Sequence, residues 1–249
     1  DDYNVAILRF SVNNSRVINP VSLALQVEQG TRANQGSLFG KAFVEANYTL
    51  STRRKNKGLH LRLYGGLMYN ANLSLYDRSF RLNAFATDGP NDYLFDQAFI
   101  GRMENDNFWA AQIYNKSGGG LLLRNDAMAF SLGNTEKWMA SLNTSYDLPI
   151  KLPLALYANA AYYPAPGYVG ASSNLLFESG IAFKLIPGMA EVYFPVLLTG
   201  DLKTGVKTMN NPEKSKLNNY FRRVTFMINF NRLDLFKTLR DLNLNTMIG

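Results

Sequence analysis

The chain contains one histidine and no cysteine, and this limits the chemistry that its side chains can perform. A zinc site of the His-Glu-x-x-His type needs two histidines one helical turn apart, so the sequence excludes it. A Ser-His-Asp site would have to use His60, yet nothing around serines such as Ser141 or Ser145 singles out a nucleophile. We therefore expect His60 to be a structural residue satisfied by a neighbouring carboxylate, so that a His60→Ala change leaves any hydrolase activity unaltered. The sequence predicts no catalytic residue, no metal ligand and no cofactor in this chain.

Other residues that could bind a ligand or take part in catalysis give no specific signal for a site. The run Gly118-Gly119-Gly120 lacks the Lys-Ser/Thr partner of a phosphate-binding loop, so we interpret it as a flexible turn. Carboxylate pairs suited to glycoside hydrolysis could be drawn from the chain, but any mixed-charge barrel would offer as many. The elements that would position these residues are more informative than the residues themselves.

The most regular feature is an alternation of apolar and polar residues with a period of two. In 38–50, Leu38 and Val44 lie on one face, and Lys41 and Glu45 lie on the other. Successive side chains of a β-strand point to opposite sides, so this segment is a strand with one apolar and one mainly polar face. With aromatic residues near the strand ends, the pattern is typical of a transmembrane β-barrel. It recurs at 59–69, 138–148, 152–162, 175–185 and 220–230.

Composition agrees with a barrel better than with a helical membrane protein. Charged residues make up 18% of the chain, below the roughly 25% of soluble domains. A helical span needs about 20 predominantly apolar residues, and no such stretch exists. The net charge of +7 is scattered along strands and loops without a basic helix. We therefore expect no nucleic acid partner, and contact with outer-membrane lipid that includes anionic lipopolysaccharide.

The sequence thus predicts an all-β fold, an antiparallel transmembrane β-barrel of about 12 strands, formed by 1–230. Tight turns with proline near 146–153 and 185–188 alternate with longer connections, which places both chain ends on the periplasmic side of a bacterial outer membrane. A helical period in 231–242 predicts a short C-terminal amphipathic helix within a periplasmic tail, 231–249. The predicted strands span 4–13, 20–30, 38–52, 58–71, 78–87, 107–115, 120–132, 136–148, 152–163, 174–186, 189–198 and 216–230.

The alternation directs one set of charged side chains, together with the histidine, toward the barrel interior. Arg or Lys facing lipid near the bilayer midplane costs about 2–4 kcal/mol, so these residues should look inward. Both signs occur, which favours a structural charge network over a selectivity filter, while a conducting pore or polar binding site remains the alternative. The set comprises Arg9, Glu28, Lys41, Glu45, His60, Arg62, Asp147, Glu178, Lys184, Glu191 and Arg223.

The opposite face should contact lipid, and the interior should be mostly closed. The stretch 88–106 brings Tyr93, Phe95 and Phe99, more aromatic bulk than an exposed loop needs, so we expect it to fold over or into the barrel. Asn143 and Asn159 should face inward with the charges. The expected outer band includes Leu59, Leu61, Leu63, Leu142, Leu154, Leu156, Val224, Phe226 and Ile228.

Several short blocks carry a family resemblance. Over about 80–249 the chain resembles the carboxy-terminal region of large Gram-negative envelope proteins that carry a gluzincin-type aminopeptidase domain upstream. The resemblance implies a zinc peptidase fold on the periplasmic side. The His-Glu-x-x-His ligands of that fold have no counterpart here, so such activity would belong to sequence outside this chain. The blocks are 92–96, 99–102, 118–120, 138–143, 148–153, 179–182, 185–187, 191–195 and the Leu-x-x-Phe-Lys-x-x-Arg pattern of 233–240.

Three functions are compatible with these features. The first is an outer-membrane barrel that anchors or positions a periplasmic peptidase-like domain or the protein partners of an envelope complex. The second is a channel or transporter for small or lipid-like solutes, since the interior is polar. The third and least favoured is a barrel hydrolase that uses His60. Because the chain begins at Asp1 without Met or a signal-like stretch, we interpret it as processed or as a fragment.

Overall fold

The computed structural model describes residues 3–14, 16, 18–32, 36–52, 57–74, 77–86, 92–95, 97–100, 109–114, 117–123, 132–164, 174–209, 213 and 215–229. The tail 231–249, with its expected helix, lies outside the described residues. So does most of 120–132, and only 92–95 and 97–100 of the stretch 88–106 are described.

Among the residues that the structure describes, long β-strands dominate, and two short α-helices follow the last long strand. Two 3-10 turns, Arg78–Phe80 and Trp109–Ala111, precede very short strands. In chain order the elements are β1 (Tyr3–Asn14), β2 (Val21–Arg32), β3 (Gly36–Ser51), β4 (Gly58–Ala71), β5 (Leu82–Asn83), β6 (Gln112–Ile113), β7 (Asn134–Thr135), β8 (Trp138–Asp147), β9 (Leu154–Tyr162), β10 (Leu175–Ile186), β11 (Ala190–Leu198), α1 (Gly200–Met209), α2 (Lys216–Phe221) and β12 (Thr225–Ile228).

In the described part of the chain, the main sheet has ten strands in the order β1-β2-β3-β4-β8-β9-β10-β11-β12-β6. Eight successive antiparallel pairs lead from β1 to β12, so these two strands run in the same direction. The short β6 pairs in parallel with β12. Among the described residues the sheet is therefore open, and the closed barrel expected from the sequence is not formed. An antiparallel closure would require a further strand of opposite direction between β12 and β1.

Strands β2 to β4 and β8 to β11 each have an inner face, which carries buried polar residues, and an outer face. Arg62 of β4 lies opposite Asn143 of β8, and both are buried. Their neighbours Leu63 and Leu142 are 57% and 43% exposed on the other side. The expected assignment of Arg62 and Asn143 inward and of these leucines outward is thus confirmed, because side-chain direction in a strand follows from position alone.

Two of the expected long strands are wrong. Where strands were predicted at 78–87 and 107–115, the chain forms the two 3-10 turns and the short strands β5 and β6. Leu82, Ala84 and Phe85 are all buried, although in a β-strand Phe85 would point to the side opposite Leu82 and Ala84. This segment is covered on several sides by the sheet and by its own neighbours, so its apolar residues do not mark a single strand face.

The last predicted strand, 216–230, is also wrong in its first half. Ser215 caps α2 by accepting a hydrogen bond from the Asn218 N–H, and the strand begins only at Thr225. Val224 and Phe226, which were expected to contact lipid, are each 5% exposed. The ring of Trp109 packs edge-on against Phe226, with centroids 6.1 Å apart, and so covers it.

Helix α1 replaces part of a predicted loop, 199–215. Its Leu202 and Val206 are buried against the main apolar cluster. The two residues are four apart and so share one helix face, which means that the sequence carried a helical signal within a segment rich in Lys and Asn. Packing of this face, more than intrinsic propensity, stabilises such a short helix.

Candidate functional site

The connection between β4 and β8 packs against the inner face of the sheet. Its Phe85 and Leu121 form an isolated parallel bridge and share an apolar cluster with Tyr163 and Leu176. A second cluster joins Leu122 to the sheet through Tyr157 and neighbouring residues. This connection therefore fills part of the space on the inner side of the sheet with side chains. The residues that pack here, 77–86, 109–114, 117–123 and 132–135, are called the inserted segment.

The glycine turn of the inserted segment docks directly on the sheet. Arg62 Nη2 donates to Gly118 O at 2.9 Å, and Asn143 Nδ2 donates to Gly119 O at 3.0 Å. Gly118 has a φ of +54°, and a Cβ at Gly119 would lie 2.6 Å from Ala84 Cα. Such close approach of two backbones admits only glycine. The turn expected from the sequence is present, and side chains of the sheet's inner face bind it.

A buried carboxylate holds the next residues of the inserted segment. Glu178 of β10 is fully buried and accepts hydrogen bonds from the Leu122 N–H and from Asn159 Nδ2, the latter at 2.8 Å. On the other side, the Thr225 hydroxyl donates to Leu122 O. Strands β10 and β12 thus bind the two sides of the same backbone unit, while Asn159 of β9 holds the carboxylate in place. These contacts satisfy groups that burial would otherwise leave unpaired.

Three ion pairs on the inner face join different strands, two between adjacent strands and one from β8 across β9 to β10. Lys41 Nζ lies 3.2 Å from Glu28 Oε2, and Arg62 Nη2 lies 2.7 Å from Glu45 Oε2. Lys184 Nζ lies 2.7 Å from Asp147 Oδ1 and is itself buried. Because these pairs join different strands, they fix the sheet's inner surface in addition to neutralising charge.

The remaining members of the sequence-derived set have less uniform surroundings. Arg9 lies on the inner face of β1 and is exposed, and it forms no ion pair within the described part of the chain. Glu191 of β11 accepts hydrogen bonds from the Gly188 N–H and the Tyr193 hydroxyl. Arg223 lies in the turn between α2 and β12, so the strand position expected for it is wrong.

One described part of 88–106 reaches the inner face. The Tyr93 ring lies 4.4 Å from Lys41 Nζ and packs against Phe39 and Phe80, while its hydroxyl donates to Glu28. Cation–π contact and ring packing of this kind stabilise the folded segment. In contrast, Phe95 is 73% exposed, so the expected burial of aromatic rings is met in part by Tyr93, which is half-buried, and is wrong for Phe95.

Polar cavities remain beside the inserted segment. One of about 580 Å³ is lined by inner-face residues that include His60, Arg62, Ser145 and Tyr157. Another, of about 320 Å³, lies beside Lys41 and Tyr93 near the opposite strand ends. Both are lined by Arg9 and Glu45. Volumes of this size match small-molecule sites as well as water-filled interiors.

His60 sits on the wall of the larger cavity and has two side-chain partners. Its Nε2 lies 2.7 Å from Asp147 Oδ2, and its Nδ1 lies 3.0 Å from Thr49 Oγ1. A carboxylate neighbour was expected for His60, whereas Thr49 was not identified by sequence reasoning. The period-two pattern assigns a face but does not say which strands are adjacent, so this cross-strand contact had no sequence signal.

The outer face presents an extended apolar surface. Leu8 and Phe10 of β1 are 75% and 62% exposed, and exposed leucines, valines and aromatics continue strand by strand to β11. The typical largest apolar patch of a soluble monomer is about 300–600 Å². Exposed members on the outer face include Val12, Leu23, Leu25, Val27, Val44, Leu50, Leu63, Leu67, Trp138, Leu142, Tyr146, Leu156, Tyr162, Ile181, Leu185 and Val196.

Asp77 fixes the chain where it leaves β4 for the inserted segment. Its carboxylate accepts hydrogen bonds from the Ser74 N–H and hydroxyl and from Arg32 Nη2, at 2.8–2.9 Å. Burial acts to raise the pKa of Asp77, but these hydrogen bonds and the Arg32 charge together bring the pKa below its ordinary value.

Across the described residues, no three His, Asp or Glu side chains lie close enough together to hold a metal ion. None of the helices found there has the length and apolar content needed to cross a bilayer. No protein-family model, curated protein or solved structure matches this chain.

Proposed function

We propose that this chain is the membrane-embedded part of a bacterial outer-membrane protein, and that it serves as an anchor or scaffold with an occluded interior. The observation that carries the proposal is the contrast between the two faces of the same strands. One face exposes apolar side chains on strands β1 to β4 and β8 to β11. The other face carries ion pairs, of which Arg62–Glu45 lies against the inserted segment.

The outer face supports contact with lipid. Strands β1 to β4 and β8 to β11 are 9–16 residues long, which meets the 9–11 residues that a tilted transmembrane strand requires. In water, so many exposed leucines and aromatics would promote association. In a bilayer the same residues would lie in their preferred environment.

A membrane also requires the edges of the sheet to be paired, because unsatisfied backbone groups are costly in lipid. In the proposed barrel, a strand that runs opposite to both β1 and β12 completes the wall between them. Such a strand would restore the even strand number of bacterial single-chain barrels, since β1 and β12 run in the same direction.

The inserted segment supports a scaffold more than an open pore. Its backbone is bound by Arg62, Asn143 and Glu178, which belong to three different strands. The resemblance to the carboxy-terminal region of gluzincin-associated envelope proteins suggests what such a scaffold would hold: a peptidase-like domain or partner subunits on the periplasmic side. The polar cavities of about 580 and 320 Å³ favour a channel for small solutes as the second candidate.

Single-channel recording in planar bilayers tests the proposal. We expect most insertions of the purified chain to conduct poorly. Deleting 117–123, the part of the inserted segment that docks on the wall, should then produce larger currents. Large and stable conductance of the unaltered chain in most insertions would contradict the scaffold and favour the channel. Failure of the chain to enter liposomes at all would contradict the membrane location itself.

A further inference from the structure

We propose that Thr49, His60 and Asp147 form an acyl-transfer site that hydrolyses small carboxylic esters within the larger inner cavity. The three residues are brought together by strand pairing: Thr49 of β3 is the register partner of His60 on β4, and Asp147 ends the next strand, β8. A hydroxyl, an imidazole and a carboxylate in contact are the arrangement that activates a weak nucleophile.

The distances fit that arrangement. Thr49 Oγ1 lies 3.0 Å from His60 Nδ1, and Asp147 Oδ2 lies 2.7 Å from His60 Nε2. Both lie within the 2.6–3.2 Å range for a nucleophile, its general base and the group that orients the base. With the proton on Nε2 donated to Asp147, Nδ1 is free to accept the proton of the threonine hydroxyl.

Asp147 is itself held rigidly, as a positioning residue must be. Its other oxygen, Oδ1, lies 2.7 Å from Lys184 Nζ, and the Gly58 N–H donates to Oδ2 at 3.3 Å. The residue is only 6% exposed. The carboxylate therefore cannot rotate away from the imidazole without losing these contacts, and it stabilises the imidazolium that forms when the base is protonated.

The reacting groups are accessible from the cavity. The His60 side chain is 42% exposed, although its partner carboxylate is buried. Thr49 and His60 both line the cavity of about 580 Å³, which is also lined by Arg9. Neither Glu45 nor Glu191, the acidic residues on the same cavity wall, contacts the imidazole; Glu45 pairs with Arg62, and Glu191 binds Gly188 and Tyr193.

The reaction follows from these positions. Thr49 Oγ attacks the ester carbonyl while its proton passes to His60 Nδ1, and the protonated imidazole then gives that proton to the departing alkoxide, which leaves as the alcohol. An acyl ester on Thr49 remains. A water molecule, deprotonated by the same nitrogen, attacks this ester, and its proton returns to Thr49 as the carboxylic acid leaves. No oxidant, reductant or metal is required.

Sequence reasoning assigned His60 a structural role because it considered serine nucleophiles only. The contact with Thr49 changes that expectation. The proposal is independent of the scaffold role, since an ester hydrolase site can be present in a barrel whether or not that barrel conducts ions.

Covalent labelling of the purified full chain in detergent by a biotinylated fluorophosphonate tests the site. We expect labelling of Thr49, located by mass spectrometry of the digested protein. Thr49→Val keeps the shape of the side chain and should abolish the label, while Thr49→Ser should retain it. His60→Ala should slow labelling about 100-fold, which is a common effect of removing a general base. Asp147→Asn should slow it and alter its dependence on pH.

Thr144 provides the matched control. It borders the same cavity, but strand alternation gives its side chain the outer-face parity of Leu142, and its hydroxyl donates to Ala158 O. Thr144→Val should label at the rate of the unaltered chain. Absence of any label, a label on another residue, or equal rates for His60→Ala and the unaltered chain would overturn the proposal. The three residues would then be a structural tie between strands β3, β4 and β8.

Discussion

The inner and outer faces of the sheet are built from the same strands, yet they obey different physical rules. On the outer face, Leu63 and Leu142 are register partners, and both side chains are exposed. On the inner face, their neighbours Arg62 and Asn143 are hydrogen-bonded at 2.7 Å and both bind the glycine turn. The stability of the outer face depends on the medium that surrounds it, whereas the stability of the inner face depends on specific hydrogen bonds and ion pairs. Substitutions should therefore separate the two faces.

The largest effect should follow from breaking an inner ion pair. Lys184→Met removes a buried cation and leaves Asp147 with only His60 and the Gly58 N–H, which should lower the free energy of unfolding by about 3–5 kcal/mol. Lys203→Met, on an exposed position of α1, is the control and should change it by less than about 0.5 kcal/mol. Urea titration followed by tryptophan fluorescence measures both. Equal effects would contradict a partner-dependent inner face.

The outer face should respond to depth in the bilayer. Leu63 lies near the middle of β4 and Leu185 near the end of β10, and they are 57% and 60% exposed. A sheet in water would tolerate Arg equally at both positions. In lipid, Leu63→Arg should cost about 2–4 kcal/mol and Leu185→Arg about 0–1 kcal/mol. Unfolding titrations in liposomes would reveal the difference, and matching losses would contradict the membrane assignment.

A smaller effect should follow from disturbing the contact between two parts of the inserted segment, at Gly119 and Ala84. Gly119→Ala places a Cβ 2.6 Å from the Ala84 Cα. The two backbone segments must then move apart, which should lower the free energy of unfolding by about 1–3 kcal/mol. Gly200→Ala meets nothing within 4 Å at the start of α1 and serves as the control. Thermal unfolding in detergent compares them. If Gly119→Ala were as stable as the control, the inserted segment would not be docked as described.

The smallest effect should occur at Asp77. Because its folded-state pKa lies below the ordinary value, the carboxylate stabilises the fold above the unfolded pKa of about 3.9, and this stabilisation is lost as pH falls through the folded value. Asp77→Asn should therefore destabilise the protein at pH 7 and have little effect under strongly acidic conditions. Urea midpoints measured across this range test it; a constant difference between the two proteins would contradict the linkage.

Sequence reasoning performed well where burial follows strand parity and poorly where it does not. The faces of β2, β3, β4 and β8 to β10 could be read directly, since alternation reflects a local property of the extended backbone. The two 3-10 turns and α2 could not. Phe80, Leu82 and Phe85 are apolar because they pack inside, and such a pattern is shared by a strand and by an irregular buried segment. For α2, the Ser215 cap was a signal that could have been used.

For the residues of the candidate site, too, one property could be predicted from the sequence and another could not. The inward direction of Arg62, Asp147, Glu178 and Lys184 followed from alternation, but their partners did not. Glu178 binds the backbone of Leu122, and His60 contacts Thr49, through pairings that depend on which strands become neighbours. Neighbouring strands are chosen by register and by connection length, neither of which a two-residue period encodes.

By itself, the sequence determined that this chain forms β-strands with one apolar and one polar face. That information is local, because each side chain's direction is set by its own position in the strand. The tertiary structure decided that the connection from β4 to β8 returns to the inner face, that β1 and β12 run in the same direction, and that Thr49, His60 and Asp147 meet. These outcomes rest on contacts between residues far apart in the chain, whose geometry exists only once the strands are paired.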